Sequence, residues 1–174
     1  MSRLPSYAPA ALAALTIVVS GCGHYSFTGA SIPGHLSSIS VPQTEDNSLS
    51  TLNTMDEDLT ELLLDRFVRQ TRLTLQPDEQ TADAILTTRI DRYSNAPTSV
   101  SGDERATLNR VTIQVFALYR DQREESDLIS QTFSSFEEYD PTDPERGLSG
   151  EEDAARAVLQ KIADDIFTAA TSNW

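Results

Sequence analysis

Leu108-Asn109-Arg110-Val111-Thr112-Ile113-Gln114-Val115-Phe116-Ala117-Leu118-Tyr119-Arg120 alternates with a period of two. Val111, Ile113, Val115, Ala117 and Tyr119 share one face; Arg110, Thr112 and Gln114 share the other, joined by Phe116 and Leu118. Successive strand side chains point to opposite faces, so this pattern predicts a strand with one face in a core. Working outward, Asp121 to Glu125 is the charged connection of a hairpin, and Leu128 to Glu138 returns as the partner strand, with Phe133 and Phe136 on opposite faces. On the other side, Asn95 to Gly102, with Pro97 and Gly102, reads as a turn region. Before it, Ala84 to Tyr93 sets Ala84, Leu86 and Ile90 against Thr87, Arg89 and Asp91. The first strand runs from Leu36 to Pro42, where Ile39 and Val41 alternate with Ser38 and Ser40 and the proline ends it.

Helical periodicity frames these strands. Thr54 and Glu57 have the spacing of a capping box, and Asp56 and Asp58 suit the positive end of a helix dipole. Leu59, Leu62, Leu63 and Phe67 then fall on one face, and the helix is expected to stop near Thr71. Asp140 to Gly150 is a loop. Ser149 and Glu152 repeat the capping spacing, and the last helix carries Ala155, Val158, Leu159, Ile162, Ile166 and Phe167 on one stripe before fading near Ala170. The expected class is α+β, in the order β-α-β-β-β-α. Two amphipathic helices pack on one face of a small, mainly antiparallel four-stranded sheet, because neither can bury its stripe alone.

Ahead of this domain lies a leader. Residues 1–21 combine Arg3, an apolar run from Ala8 to Val19 and the small residues of Val19-Ser20-Gly21-Cys22. A run of about a dozen apolar residues is too short to span a bilayer and fits a secretory signal. The segment resembles the lipobox of bacterial lipoproteins, with Val19 where leucine is commoner. An ordinary signal followed by a stray cysteine is the alternative; the place of the single cysteine, directly after the small pair, favours lipidation of Cys22. The organisation is a signal peptide over 1–21, a lipidated arm over 22–35 and one domain over 36–174.

Composition removes several functions. The chain has 174 residues with a formal net charge of −14, and loss of Arg3 with the leader leaves 12 basic against 27 acidic residues. Nucleic-acid binding needs clustered Lys and Arg, so it is not expected. Lys161 is the single lysine, a bias that suits a high-salt surface or GC-rich coding alike. His24 and His35 lack neighbours at metal-ligand spacing, and no Gly-x-Ser-x-Gly turn, phosphate loop or free nucleophilic cysteine is present, so no enzyme activity, cofactor or metal is expected. The pairs Glu124-Glu125, Glu137-Glu138 and Asp164-Asp165 and the run Glu151-Glu152-Asp153 read as solvated charge. Asp78-Glu79 and Asp140 to Glu145 offer oxygens without EF-hand spacing, which leaves calcium binding open. Arg66, Arg69, Arg105, Arg110, Arg120 and Arg123 form either a phosphate-facing patch or, the reading favoured by the acidic excess, pairs with neighbouring carboxylates. Tyr25, Phe27, Tyr93, Tyr119 and Tyr139 read as packing residues rather than a ligand cage.

Cys22-Gly23-His24-Tyr25-Ser26-Phe27, then Ser31-Ile32-Pro33, then a strand centred on Ile39 and Val41, resembles the opening of the LptE lipopolysaccharide-assembly lipoprotein family. Thr60-Glu61-Leu62-Leu63-Leu64-Asp65-Arg66-Phe67, the strand entry Ala82-Asp83-Ala84-Ile85-Leu86 and the terminal amphipathic helix extend the resemblance over the mature chain. It implies a non-catalytic, lipid-anchored plug and assembly partner of an outer-membrane β-barrel of the LptD type in lipopolysaccharide transport. It further implies residence at the periplasmic side of the cell outer membrane, attachment through Cys22, and lipopolysaccharide itself as a candidate ligand. The acidic surplus departs from a family expected to meet lipid phosphates with basic residues. The alternative is a periplasmic carrier lipoprotein for lipid or glycolipid, which would need an apolar cavity between helices and sheet.

Acyl chains bury methylenes at about 0.8 kcal/mol each, and more than one chain makes attachment stable. Cys22→Ser is therefore expected to release the mature protein into the soluble periplasm or to block its processing, as read by membrane fractionation. Membrane retention unaltered by that substitution would refute the anchor.

Overall fold

A computed structural model describes residues 32–98, 108–144 and 149–172. Among the described residues, six strands form one mixed sheet: β1 (Ser38–Ser40), β2 (Glu45–Asp46), β3 (Thr74–Leu75), β4 (Ala84–Thr98), β5 (Leu108–Asp121) and β6 (Ser126–Tyr139). Two helices accompany them among the same residues, α1 (Met55–Leu64), which runs on into a π-helical turn over Asp65–Arg69, and α2 (Ser149–Ser172). The sheet order is β3-β1-β4-β5-β6, with β2 also on β4.

The α+β class and the two helices are as expected, but the four-stranded, mainly antiparallel sheet is not. Only β4-β5-β6 is antiparallel; β1 runs parallel to both β3 and β4, and β2 runs parallel to β4. β1 pairs Ile39 with Ala84, and β2 pairs Glu45 with Arg89, so the two lie in succession along one edge of β4, interrupted where Pro42 sits. β2 and β3 have two residues each, and their pairing is carried by backbone groups. No hydrophobic period can announce such a strand.

β4 also continues past its expected end. Asn95 to Thr98, read as a turn, pairs with Val111 to Leu108, and Pro97 lies opposite Asn109. Beyond Asp46 and Ile90, β4 has a paired neighbour on one side only, the setting in which a sheet tolerates proline. A bulge at Asp91 shifts the alternation, so that Ile90 is buried and Tyr93, rather than Arg92, next packs toward the core.

The core lies between the sheet and both helices. Val111, Ile113, Val115, Ala117 and Tyr119 of β5 are fully buried, as their period requires, against Leu59, Leu63 and Phe67 on one helical segment and Val158, Leu159, Ile162 and Ile166 on the other. The rings of Phe67 and Tyr119 meet edge-on at 5.6 Å, and those of Phe67 and Phe167 at 5.4 Å. The π-helical turn carries Phe67 into this junction. Arg156 reaches Asp58 at 3.7 Å and Arg66 reaches Asp164 at 2.6 Å, both with the same chain offset, so the two helices run parallel. At the start of α2, a Cβ at Gly150 would stand 3.0 Å from the Tyr139 ring, so any larger residue there requires the ring to give way. At α1 the capping expectation fails: Thr54 makes no side-chain cap and instead donates to Asp58 at 3.3 Å. α2 begins at Ser149 itself and ends two residues beyond Ala170.

Phe67→Ala should destabilise the domain by about 3–5 kcal/mol in urea titration, because it leaves a cavity between two other rings. Phe136→Ala, at a side chain 50% exposed on the far face, should change stability by less than about 1 kcal/mol.

Candidate functional site

Two regions distinguish this surface: the sheet face that the helices leave bare, and the end of the sheet where the chain enters from its N-terminal side.

The bare face carries the polar half of β5. Arg110 pairs with Glu138 at 2.6 Å and lies 4.3 Å from the Phe136 ring, and Arg89 pairs with Asp91 at 2.6 Å and lies 5.3 Å from the Phe116 ring. Arg120 pairs with Asp127 at 3.0 Å. Thr87, Gln114, Thr132 and Ser134 stand between them. The face is hydroxyl-rich, and the Phe116 and Phe136 rings that reach it are each capped by a guanidinium. Phe133 and Phe136 do divide between the faces: Phe133 packs toward the core and Phe136 is exposed here.

The entry end is a polar knot. Asp83 accepts hydrogen bonds from the Ser37 N–H at 2.8 Å, the Ser37 hydroxyl at 2.6 Å and the Ser38 N–H at 3.0 Å, tying β1 to the start of β4. Those donors favour its charged form and hold its carboxyl at about 2, below the ordinary 3.8. Asp121 follows Tyr119 on the core side of β5 and is fully buried. One of its oxygens accepts the N–H groups of Arg123 at 2.8 Å and Glu124 at 3.0 Å, which shapes the hairpin, and the other meets His35 Nε2. Burial pushes the Asp121 carboxyl up, but the bonds from His35, Glu124 and Arg123 outweigh it and the net displacement is downward. His35 thus faces two carboxylates, Asp121 and Glu124, that no local spacing could reveal.

Most of the remaining basic side chains among the described residues resolve into pairs. Arg66 contacts Asp65 and Asp164, Arg69 contacts Asp65, Arg123 contacts Asp83, and Lys161 bonds Glu137 and the Phe136 carbonyl. The paired reading of the arginines holds for these, for Arg110 and for Arg120; Arg105 lies outside the described residues. Arg72 donates to the carbonyls of Ile32 and Pro33 at 3.1 and 2.6 Å. Tyr119 is a core residue, Tyr93 donates to Glu151 at 2.5 Å, and Tyr139 accepts from Asn95 at 2.7 Å and Asn109 at 3.3 Å. Burial first, and the Glu151 carboxylate second, raise the Tyr93 hydroxyl above its ordinary range. The 1–21 signal, Cys22, His24, Tyr25 and Phe27 lie outside the described residues. No helix among the described residues is long and apolar enough to cross a membrane. A groove of about 420 Å³ runs between the outer surfaces of the helices, lined by Asp58, Glu61, Leu62, Asp65, Arg69, Arg156 and Gln160, with Leu62 its one apolar residue.

A family model described as LptE, lipopolysaccharide-assembly, matches residues 36–170. No curated protein matches the chain. Among solved structures, a protein of Xanthomonas campestris is similar at a TM-score of 0.55 and 12% identity, over 82% of this chain and 90% of that one. An uncharacterised lipoprotein B of Nitrosomonas europaea is similar at 0.52 and 16%, over 82% and 86%. The PelC protein of Paraburkholderia phytofirmans, solved as a dodecamer, is similar at 0.51 and 9%, over 79% and 90%. At these identities the likeness is one of fold.

Asp83 yields a pH prediction. A carboxyl held lower in the folded than in the unfolded state adds stability above the unfolded pKa, and that stability drains away as pH falls toward the folded value. The melting temperature should therefore drop as pH falls from about 4 to about 2, and Asp83→Asn should be less stable near neutrality while losing that portion of the slope. Parallel acid profiles for the two proteins would show that Asp83 is not the group responsible.

Proposed function

The chain belongs to the LptE family of lipopolysaccharide-assembly proteins, and on that premise we propose that it is a non-catalytic, lipid-anchored plug and assembly partner of an LptD-type outer-membrane β-barrel. The observation that carries the reading is the family match across 36–170, which takes in the six described strands, α1 and all but the last two residues of α2. The bare sheet face supports it. Wide outer-membrane barrels have polar interiors, and a domain whose exposed face is mainly hydroxyls, carboxylates and arginines laid over two rings can fill such a lumen. Cys22, acylated, would hold the domain at the periplasmic side of the outer membrane, and no step of this role calls for a nucleophile or cofactor.

Two finer points follow from the packing. Direct capture of lipopolysaccharide phosphates draws little support, since Arg66, Arg69, Arg110, Arg120 and Arg123 already face carboxylates of this chain. The carrier alternative needs an apolar cavity between helices and sheet, and that layer is filled by side chains at zero exposure from Leu59 to Ile166.

Pull-down through a C-terminal tag from gently solubilised outer membranes, with the partner identified by mass, is expected to yield a large β-barrel in stoichiometric amount, and depletion of the protein should leave that barrel misassembled. Recovery of the protein as a free monomer, with barrel assembly unaffected by depletion, would overturn the proposal.

A further inference from the structure

We propose that His35 and Glu124 form a divalent transition-metal site, with the buried Asp121 carboxylate orienting the imidazole from behind. Asp121 is the fixed point of the cluster. It is 0% exposed, and one oxygen is committed to the N–H groups of Arg123 and Glu124, which fixes the carboxylate in the hairpin. Its second oxygen is paired with His35 Nε2. A carboxylate can only accept, so Nε2 carries a proton, and whenever the ring is neutral its lone pair stands on Nδ1.

Nδ1 faces Glu124 Oε1 across 3.7 Å. That distance is too long for a hydrogen bond. It is the span that one ion would bridge at an open angle, with bonds of about 2.0–2.2 Å to a histidine nitrogen and a carboxylate oxygen. A histidine that binds an ion through one nitrogen and donates the other N–H to a carboxylate is the usual outer-shell arrangement of metal sites, because the carboxylate fixes the tautomer and raises the ring's basicity. The His35 side chain is 32% exposed and that of Glu124 63%, so water can reach the ion and complete its shell. The neighbouring Arg123 is turned to Asp83 at 3.8 Å and to the His35 carbonyl at 2.8 Å. Imidazole with carboxylate suits zinc and its neighbours better than calcium or magnesium. Two protein ligands make the site weaker than a closed structural zinc centre. An ion there would tie the residues just before β1 to the β5-β6 hairpin. The inference does not depend on the barrel-plug reading.

The experiment is calorimetric titration of zinc chloride into the untagged, detergent-solubilised full chain, repeated with cobalt and read by its visible spectrum. One saturable site is expected, abolished by His35→Gln and by Glu124→Gln, weakened by roughly tenfold or more by Asp121→Asn, and unaltered by His24→Gln. Should Asp121→Asn fail to fold, the exposed Glu124→Gln carries the test, and its melting temperature in EDTA should match that of the unsubstituted protein. Absence of saturable zinc binding in the unsubstituted chain would overturn the site, as would binding that persists in both His35→Gln and Glu124→Gln or disappears in His24→Gln.

Discussion

Phe67 sits edge-on between Tyr119 of the central antiparallel strand and Phe167 of the last helix, and through it three elements share one apolar layer. Burial of that layer is the constraint on which the rest of the structure depends. Each helix has a single apolar stripe, and each stripe needs apolar area that the other cannot supply alone. Both therefore lie on the same face of the sheet, and they lie parallel, since β1 and β4 start from the same end and the chain must come back from β1 to reach β3. The consequence reaches the surface: with both helices on one side, the opposite face of β4-β5-β6 is left without a cover of its own among the described residues.

The charge distribution follows the same division. A chain with 27 acidic residues has carboxylates to spare, and most arginines among the described residues are drawn into pairs with them. On the helical side these pairs lie across the groove, Arg156 to Asp58 and Arg66 to Asp164. On the sheet they lie between neighbouring strands, Arg110 to Glu138 and Arg120 to Asp127. Exposed pairs of this kind contribute only about 0–1 kcal/mol each, so they do not hold the fold together. Their effect is on recognition, since they leave a polar surface on which few cations are free.

Much of this was legible in the residues. The alternation of Val111 to Tyr119 marked the central strand and its inner face, and the stripes of Leu59-Leu63-Phe67 and Val158-Ile162-Ile166 marked the helices. Other features were illegible for definite reasons. Thr74 and Leu75 form a strand because their backbone lies beside Ser38 and Ile39, although their side chains are exposed. Asn95 to Thr98 carries turn-forming residues, yet pairing with Leu108 to Val111 holds it extended. By position His35 belongs to the arm over 22–35, and nothing local marks its carboxylate partners, which stand on a hairpin far along the chain.

Local order in the sequence thus determined which segments are helix or strand and which side of each seeks the core, because period and apolar burial are properties of neighbouring residues. The sheet's mixed direction, the parallel helices, the bare face and the His35 cluster were decided only by the tertiary structure. They arise from contacts between residues distant in the chain, whose backbone bonds and buried charges leave no mark in any local period.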